Sequence, residues 1–418
     1  MKTNSIILVE PKVHLNYYPF SILHTVFELR CGAFRLFEKI GKLFPNSNIS
    51  FLSERQEHLN CFLEKFNIKN PEPDKKNVLF LLANILPTTS FFKELNEKYD
   101  EYLKNIENKK DIVCFTKNNL PFAYFFPELD YEFINNHSIN SLEAHSFPKI
   151  EIDSAKILNY IWDAIEYNGL AIEDDFQFFQ ADYLKQNKNT TFLRRENIFI
   201  SETADIMPGT VLDASNGVII IDEKVKIMPN SVIIGPCYIG NNSTIKVAAK
   251  IYEKTSIGEF CKIGGEVENS IIQSYSNKQH DGFLGHSFIS EWVNLGADTN
   301  TSDLKNNYGE IKINIGEHSI KTGRMFLGLL CGDHTKSAIN TNFTTGTAAG
   351  ICSILFHSGF LPNYIPSFTW GGNTEESVLH QIERAVELAK LVMARRNRIL
   401  SNEEELLIRK EFERIASN

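Results

Sequence analysis

A polar segment in the second half of the chain carries the residues best suited to chemistry. Between residues 276 and 309 the sequence places His280, His286, Asn294 and Lys305 among regularly spaced apolar residues. Histidine, with an ordinary pKa of about 6.5, suits general acid or base work near neutral pH. Burying so many donors and acceptors without partners would cost about 1 to 3 kcal/mol each. We therefore expect this segment to face a groove, a ligand or another subunit.

The elements that position this segment are predicted by an isoleucine at every sixth residue. An α-helix cannot keep that pattern on one face, because six residues turn it by about 600°. A coil of short extended sides can, with each isoleucine pointing inward, which predicts a parallel β-helix of hexapeptide repeats. The inward positions are Ile221, Ile227, Ile233, Ile239, Ile245, Ile251, Ile257 and Ile263, and the spacing predicts that Phe283, Ile289 and Leu295 continue them.

Glycine usage divides the chain into two architectures. Only Gly32, Gly41 and Gly169 precede residue 196, and the other glycines follow it. We predict an α/β domain over 1–190 and the β-helix over 196–372.

In the α/β domain, short apolar runs alternate with helical segments. The runs are Ser5–Val9, Ile49–Leu52, Val78–Leu82, Ile112–Phe115 and Ala123–Phe126, and the helical segments are Phe34–Leu43, Glu54–Phe66 and Phe91–Asn108.

Two helices are predicted over 373–418. Asn373 to Glu376 would cap a helix whose apolar stripe starts at Val378, and Ser401 to Glu404 is a capping box that opens a second helix.

Composition excludes several classes of protein. The 418 residues carry a net charge of −9 and 43% hydrophobic residues, which is typical of a folded, mildly acidic protein. No block of like charge favours a nucleic-acid partner, and no apolar run is long enough to span a membrane. We expect a cytoplasmic protein whose seven scattered cysteines are reduced and buried.

The polar segment resembles the acetyltransferase half of the bifunctional N-acetylglucosamine-1-phosphate uridylyltransferase/glucosamine-1-phosphate acetyltransferases, and in particular a divergent bacterial branch of them. The family pattern runs from a catalytic histidine through Leu-Gly to Val-Asn-(Ile/Leu)-Gly-Ala. His280, Leu284–Gly285 and Val293–Ala297 match it with the same spacing. The resemblance implies a homotrimer of left-handed β-helices whose sites are shared between neighbouring subunits.

The resemblance also implies roles for individual residues. His280 would be the general base that takes a proton from an amino-sugar phosphate as its nitrogen attacks acetyl-CoA. The other implied contacts are Asn294 to the amino sugar, Ala297, Asn307 and Tyr308 to acetyl-CoA, and, on charge grounds, Lys305 and Lys278 to the sugar phosphate. Where the family carries basic residues before the histidine, this chain has Glu266 and Glu268.

The N-terminal half lacks the glycine-rich loop with which sugar-nucleotide pyrophosphorylases cradle phosphates. The segment from Pro19 to Gly32 resembles the opening of the divergent branch. Arg30, with Lys39 behind it, is the candidate for binding the phosphates of UTP or dTTP; alternatively, Arg30 pairs with Glu28 or a helix end. Nucleotidyl transfer implies Mg²⁺, but the sequence does not identify its carboxylate ligand.

Three functions remain open on the sequence. The first is an enzyme that couples a sugar 1-phosphate to a nucleoside triphosphate and acetylates an amino-sugar phosphate. The second is a structural or regulatory protein whose degenerate N-terminal domain binds a sugar nucleotide without turnover. The third is a zinc-dependent β-helix of the carbonic-anhydrase type, for which the spacing of His280 and His286 is unfavourable.

Overall fold

The computed structural model describes residues 2–105, 111–129, 147–179, 189–316, 318–372 and 377–417. The chain forms two compact units, one of residues 1–14, 24–29 and 34–159 and the other of residues 15–23, 30–33 and 160–418. The structure therefore groups residues 160–179 with the β-helix. The predicted domain bounds of 1–190, 196–372 and 373–418 stay a prediction.

The first unit is an α/β layer built on a six-stranded sheet of order β2-β1-β3-β5-β4-β6. The strands β2, β1 and β3 are parallel, and β5 runs antiparallel to both β3 and β4. The strands are β1 Ser5–Val9, β2 Asn48–Leu52, β3 Lys76–Leu82, β4 Val113–Lys117, β5 Leu120–Glu128 and β6 Lys149–Glu151. The helices are α1 Leu36–Leu43, α2 Gln56–Lys65 and α3 Thr89–Lys104.

The apolar runs of the first unit become strands because both faces of the sheet are covered. Ile6 and Leu8 pack into one buried cluster and Ile7 and Val9 into another. A strand buried on both faces gives a continuous apolar run rather than an alternating pattern. Each of the five predicted runs contributes to a strand, and the three predicted helices form, although α3 begins at Thr89.

The second unit is a left-handed parallel β-helix with three faces. Face A consists of β7 Thr191–Leu193, β10 Val211–Asp213, β13 Val232–Ile234, β16 Lys250–Ile251, β19 Glu266–Glu268, β22 Phe283–Gly285, β24 Asn300–Thr301, β29 Asn342–Phe343 and β32 Phe360–Leu361. Face B consists of β8 Ile198–Ile200, β11 Ile219–Ile221, β14 Cys237–Ile239, β17 Thr255–Ile257, β20 Ile271–Ile272, β23 Phe288–Ile289, β27 Leu329–Cys331, β30 Thr347–Ala349 and β33 Tyr364–Ile365. Face C consists of β9 Asp205–Ile206, β12 Lys226–Ile227, β15 Thr244–Ile245, β18 Lys262–Ile263, β21 Asn277–Lys278, β28 Lys336–Ser337, β31 Ile354–Leu355 and β34 Thr369–Gly371.

The predicted isoleucine ladder is the interior of this coil. All eight isoleucines are buried and belong to one hydrophobic cluster. The prediction of Phe283 as an inward residue is wrong: Leu284 pairs with Val267 and is fully buried, while Phe283 is half-exposed. The reason is the spacing of the next corner, because the inward residues Leu284 and Ile289 are five positions apart and not six.

Helices and a hairpin complete the second unit. The helices are α4 Ile161–Asp175, α5 Ile382–Ala394 and α6 Asn402–Ala416, and the hairpin strands are β25 Lys312–Ile315 and β26 His318–Lys321. The predicted helix start at Val378 is wrong, because Val378–Leu379 forms β35, which pairs with β34. The proposed cap at 373–376 lies outside the described residues, whereas the capping box at Ser401 is confirmed.

Two further expectations can be compared with the described residues. All seven cysteines are buried thiols. In the part of the chain that the structure describes, no helix has the length and apolar character needed to cross a bilayer.

Candidate functional site

His280 lies at an exposed corner of the coil, between face C and face A. The corner, residues 279–282, joins β21 to β22 and is referred to below as the His280 corner. Directly beneath it on the previous coil are Gly264 and Gly265, which carry no side chains. A Cβ atom on Gly265 would lie 2.8 Å from the carbonyl oxygen of His280, so the close stacking of the two corners requires glycine there.

Lys278 occupies an inward position of the coil and fixes the His280 corner from inside. It pairs with Ile263 in register, and its side chain is 2% exposed. Its Nζ donates hydrogen bonds to the carbonyl oxygens of Gly264 (3.1 Å), His280 (3.1 Å) and Gly282 (2.6 Å). Three hydrogen bonds use every ammonium donor. The expectation that Lys278 grips a sugar phosphate is therefore wrong, because its ammonium group has no donor left for one.

The surroundings of Lys278 also perturb its proton affinity. Burial lowers the pKa of Lys278 to about 8, although the nearby carboxylates of Asp281 and Glu266 act in the opposite direction. A buried ammonium is expected to lose its proton more easily than an exposed one, because a low-dielectric environment disfavours the charged form.

The next coil places two of the implied ligand contacts close to the His280 corner. The backbone amide of Asp298, next to Ala297, donates to the carbonyl oxygen of Asp281 over 3.0 Å. Asn294 forms a parallel bridge with Asn277, the residue before Lys278. Asn294 and Ala297 therefore lie one coil beyond His280 and on the same side of the molecule.

The remaining implied contacts lie at a different corner. Residues 302–328, here called the excursion, leave the coil between face A and face B and include Lys305, Asn307 and Tyr308. Lys305 Nζ donates to the carbonyl oxygen of Glu310 over 2.8 Å, and Tyr308 is 67% exposed. Within one chain the structure thus does not bring these three residues to the His280 corner.

The corner between faces A and B carries a histidine–carboxylate pair. His286 Nδ1 lies 2.8 Å from Asp303 Oδ2, and the imidazole stacks on Phe326 at 5.0 Å between ring centroids. Both members of the pair are largely buried. Such a carboxylate holds an imidazole in one orientation. The sequence analysis singled out His286, but its pairing with Asp303 could not be predicted, because it depends on the stacking of successive coils.

Arg30 makes structural contacts in the second unit, and its expected role in nucleotide binding stays a prediction. Its side chain is fully buried, its Nη2 pairs with Glu259 at 2.7 Å, and its guanidinium lies over the Tyr238 ring. Arg30 also donates to the carbonyl oxygen of Ala33. The carboxylate that pairs with Arg30 in the second unit lies 229 residues away, so it differs from the sequence alternatives of Glu28 and a helix end. Lys39 is fully buried on α1 of the first unit.

The carboxyl edge of the parallel strands in the first unit holds a buried polar cluster that the sequence analysis missed. Glu10 follows β1, Ser53 follows β2, and both are at most 7% exposed. Arg55 donates from Nε to Glu10 over 3.1 Å and also from Nη2 to the same carboxylate. The Ser53 hydroxyl and the backbone amide of Val26 donate to Glu10 as well. Ligands of open α/β sheets bind at this edge.

A second buried ion cluster follows in the same unit. Glu28 Oε2 lies 3.0 Å from Lys65 Nζ and 3.0 Å from His24 Nδ1. Burial alone would raise the pKa of Glu28, but Lys65 and His24 outweigh it and lower the pKa below its ordinary value. Glu28 therefore stays ionised and neutralises its cationic neighbour.

The residues at this edge do not fit a magnesium site. Mg²⁺ is bound by carboxylates that are free to face it, whereas the buried carboxylates of Glu10 and Glu28 are each paired with a partly exposed cation. Within the described ranges, no three His, Cys, Asp or Glu side chains form a group that could hold a metal ion.

Comparisons with known proteins find a family match in the N-terminal part of the chain and relatives that are named bifunctional. Residues 6–184 match a family described as sugar nucleotidyl transferase. The chain is 35% identical to a bifunctional sugar-1-phosphate nucleotidylyltransferase/acetyltransferase of Sulfurisphaera tokodaii over 140 residues, 32% of this chain and 34% of that protein. It is 25% identical to the bifunctional protein GlmU of Methanococcus aeolicus over 380 residues, 82% of this chain and 90% of that protein.

A solved structure similar to the coil is LpxA, a UDP-N-acetylglucosamine acyltransferase from Bacteroides fragilis. It is 15% identical, covers 54% of this chain and 95% of its own, and has a TM-score of 0.31.

Together the N-terminal family match and the bifunctional relatives indicate a transferase. The chain spans about a third of the first of these relatives and nine-tenths of the second. Substrates, partners and the activity of the whole protein are therefore matters of proposal, and the divergent bacterial branch stays a prediction.

Proposed function

We propose that the β-helix transfers an acetyl group from acetyl-CoA to the amine of an amino-sugar phosphate, with His280 as general base. The observation that carries the proposal is the His280 corner. An exposed imidazole follows a buried, hydrogen-bonded Lys278 and borders a corner without side chains at Gly264 and Gly265. Asn294 and Ala297 on the next coil support the assignment, because both lie close to the His280 corner.

The chemistry requires a neutral amine and a leaving thiolate. His280 takes the proton that the amino nitrogen loses as its lone pair forms a bond to the thioester carbonyl carbon. The carbon–sulfur bond then breaks, the acetyl group stays on nitrogen, and coenzyme A leaves as a thiolate that accepts a proton. The carbonyl oxygen carries negative charge in between, which backbone amides beside Ala297 would stabilise.

A second copy of the chain would complete this site. In one chain Lys305, Asn307 and Tyr308 belong to the excursion at another corner. The exposed ring of Tyr308 is suited to contact a neighbour or a ligand. We therefore propose a homotrimer in which the excursion of one subunit reaches the His280 corner of the next. Light scattering coupled to size-exclusion chromatography measures the number of copies.

For the N-terminal unit we propose binding of a sugar nucleotide or nucleoside triphosphate, at the carboxyl edge of β2, β1 and β3. Nucleotidyl transfer from UTP or dTTP is the function that the family match supports. Binding without turnover is the second candidate, and one observation favours it. Arg55 and Lys65, two cations at or near this edge, are both engaged by buried carboxylates. A cytoplasmic location is part of the proposal.

Acetyl transfer is tested with purified protein, acetyl-CoA and glucosamine 1-phosphate, by following the released thiol of coenzyme A. We expect wild type to be active and His280→Ala to lose about 10²- to 10⁴-fold in kcat. His357→Ala, which removes a partly exposed histidine elsewhere in the coil, is the matched control and should retain activity. Undiminished turnover in His280→Ala would refute the assignment of the base.

Nucleotidyl transfer is tested by release of pyrophosphate from UTP or dTTP in the presence of sugar 1-phosphates and Mg²⁺. Equilibrium dialysis with a labelled UDP-sugar measures binding in parallel. Binding without pyrophosphate release would favour the non-catalytic candidate for this unit. Zinc bound in stoichiometric amount after purification would instead favour the carbonic-anhydrase-type alternative.

A further inference from the structure

Two cationic side chains, Lys262 and Arg396, lie on face C beside the His280 corner, and the charges of Lys246 and Arg395 also act on Lys262. Lys262 pairs in register between Thr244 and Asn277, so it points outward while its neighbour Ile263 points inward. Lys246 lies on the adjacent coil, where its Cβ comes within 3.0 Å of the position a Cβ on Gly264 would occupy.

Two arginines from the C-terminal segment complete the group. Arg395 and Arg396 follow α5 directly, and Arg396 Nη2 lies 3.4 Å from Asn277 Oδ1, which places it on face C. Arg398, two residues further on, donates to the Tyr275 hydroxyl over 3.0 Å and anchors this segment to the coil. The set Lys246, Lys262, Arg395 and Arg396 is referred to below as the basic cluster.

The basic cluster lacks counter-charges. Among the described residues, none of its four members forms an ion pair with a carboxylate. Burial lowers the pKa of Lys262, and the positive charges of Arg396, Lys246 and Arg395 lower it further. Like charges held this close repel one another. An arrangement that costs energy in the free protein is stabilised when an anion binds between the charges.

A purely structural role explains only part of the cluster. Cations are favourable near the C-terminus of a helix, so Arg395 and Arg396 complement the end of α5. The two lysines are not on a helix, and they would oppose the approach of the arginines unless an anion were present. The structural role therefore leaves the position of Lys262 unexplained.

The location of the cluster indicates which reaction it serves. Lys246, Gly264 and Gln279 occupy the same position on three successive coils, because each directly follows an inward residue of face C. His280 is the next residue after Gln279. The glycine corner between Lys246 and His280 lets the successive coils stack closely, so the imidazole and the lysine lie on the same edge of the coil.

We infer that the basic cluster is an anion subsite that binds a phosphate group of one of the substrates handled at the His280 corner. This inference rests on the proposed acetyl transfer. The shared chemistry is a phosphate ester with at least one ionised oxygen, which accepts hydrogen bonds from the lysine and arginine donors. Two sources carry such a group, the amino-sugar phosphate and coenzyme A.

Direct binding is measured first, because it does not depend on catalysis. Equilibrium dialysis of labelled inorganic phosphate and pyrophosphate is performed with wild type, Lys262→Gln and Arg396→Gln, with Lys226→Gln as the matched control. Lys226 is an exposed lysine on the same face, two coils away. We expect wild type and the control to bind alike, and each cluster variant to bind about tenfold or more weakly. Equal binding by all four proteins would overturn the inference.

Steady-state kinetics then separates the two sources. If the sugar phosphate occupies the subsite, Lys262→Gln raises KM for glucosamine 1-phosphate about tenfold or more, with kcat and the KM for unphosphorylated glucosamine little changed. If coenzyme A occupies it, KM rises for acetyl-CoA and not for acetyl-pantetheine, which lacks the phosphates. Unchanged KM values for both phosphorylated substrates would exclude the assignment to the His280 corner.

The outcomes distinguish this inference from the proposed function. Wild type that binds phosphate at the cluster but transfers no acetyl group would retain the subsite and refute the acetyltransferase. Wild-type rates of acetyl transfer in Lys262→Gln and Arg396→Gln would refute the subsite and retain the acetyltransferase. The variants are expected to fold, because removing one of several like charges relieves repulsion, and thermal unfolding checks this.

Discussion

The buried ammonium of Lys278 makes the stability of the protein depend on pH in a direction that the structure determines. Burial lowers the pKa of Lys278 from 10.5 to about 8 in the folded protein, while the unfolded chain keeps the ordinary value. Because the folded value is the lower one, protonated Lys278 costs stability below about pH 8, and this cost disappears as the pH rises toward 10.5. The full difference is worth about 3 kcal/mol, at roughly 1.4 kcal/mol for each pKa unit.

The perturbation is Lys278→Met, which keeps an unbranched side chain and removes the titrating group. We expect the unfolding free energy of wild type, measured by urea denaturation, to rise by up to about 3 kcal/mol relative to the variant from about pH 8 to about pH 10.5. The exposed Lys226→Met is the control and should follow the wild-type pH dependence. Parallel curves for wild type and Lys278→Met would refute the reasoning.

Three further predictions test the core, the N-terminal cluster and the thiols. Ile257→Ala should lower the unfolding free energy by about 2 to 5 kcal/mol, because it opens a cavity in the buried ladder. Leu120→Ala, at an exposed position, is the control, and an equal loss of unfolding free energy in both variants would contradict the burial of the ladder. Arg55→Met should lower the unfolding free energy by about 3 to 5 kcal/mol, because it leaves the buried Glu10 carboxylate without its cation. Adding Glu10→Gln should restore part of that free energy, and no restoration would contradict the pairing. Burial raises the pKa of Cys261 to about 12, so iodoacetamide should label it only after unfolding, and native labelling would contradict its burial.

The regular part of the coil could be predicted because each hexad repeats the same local requirement. An inward isoleucine recurs from Ile221 to Ile263, and stacking buries every one of them. Downstream, Ile289 and Leu295 are inward as predicted, and only Phe283 fails, because the inward residues Leu284 and Ile289 are five positions apart. Between Ile263 and Lys278 the count of six also breaks, since the inward residues there are Val267 and Ile272. Lys278 therefore occupies an inward position that no hexad count identifies.

The ion pairs could not be predicted, because they join residues that only the fold brings together. The ion pair of Arg30 and Glu259 joins residues 229 positions apart. The hydrogen bond from Arg396 to Asn277 likewise spans 119 positions. Charge blocks in the sequence indicate only local clusters. The basic cluster combines Lys246 and Lys262, from two successive coils, with Arg395 and Arg396, which follow α5. Because its members are far apart in the sequence, they form no long block of like charge.

The distribution of compensated and uncompensated charge favours acetyl transfer as the better supported of the two proposed activities. In the N-terminal unit, Arg55 donates from Nε and Nη2 to the buried carboxylate of Glu10, with which an anion would compete. In the coil, Lys262 is close to other cations and has no carboxylate partner among the described residues. Phosphate binding therefore costs little free energy at the basic cluster of the coil and much at Arg55. Variants of the coil should consequently change phosphate affinity, whereas Lys65→Gln in the N-terminal unit should change stability and leave that affinity as it is in wild type.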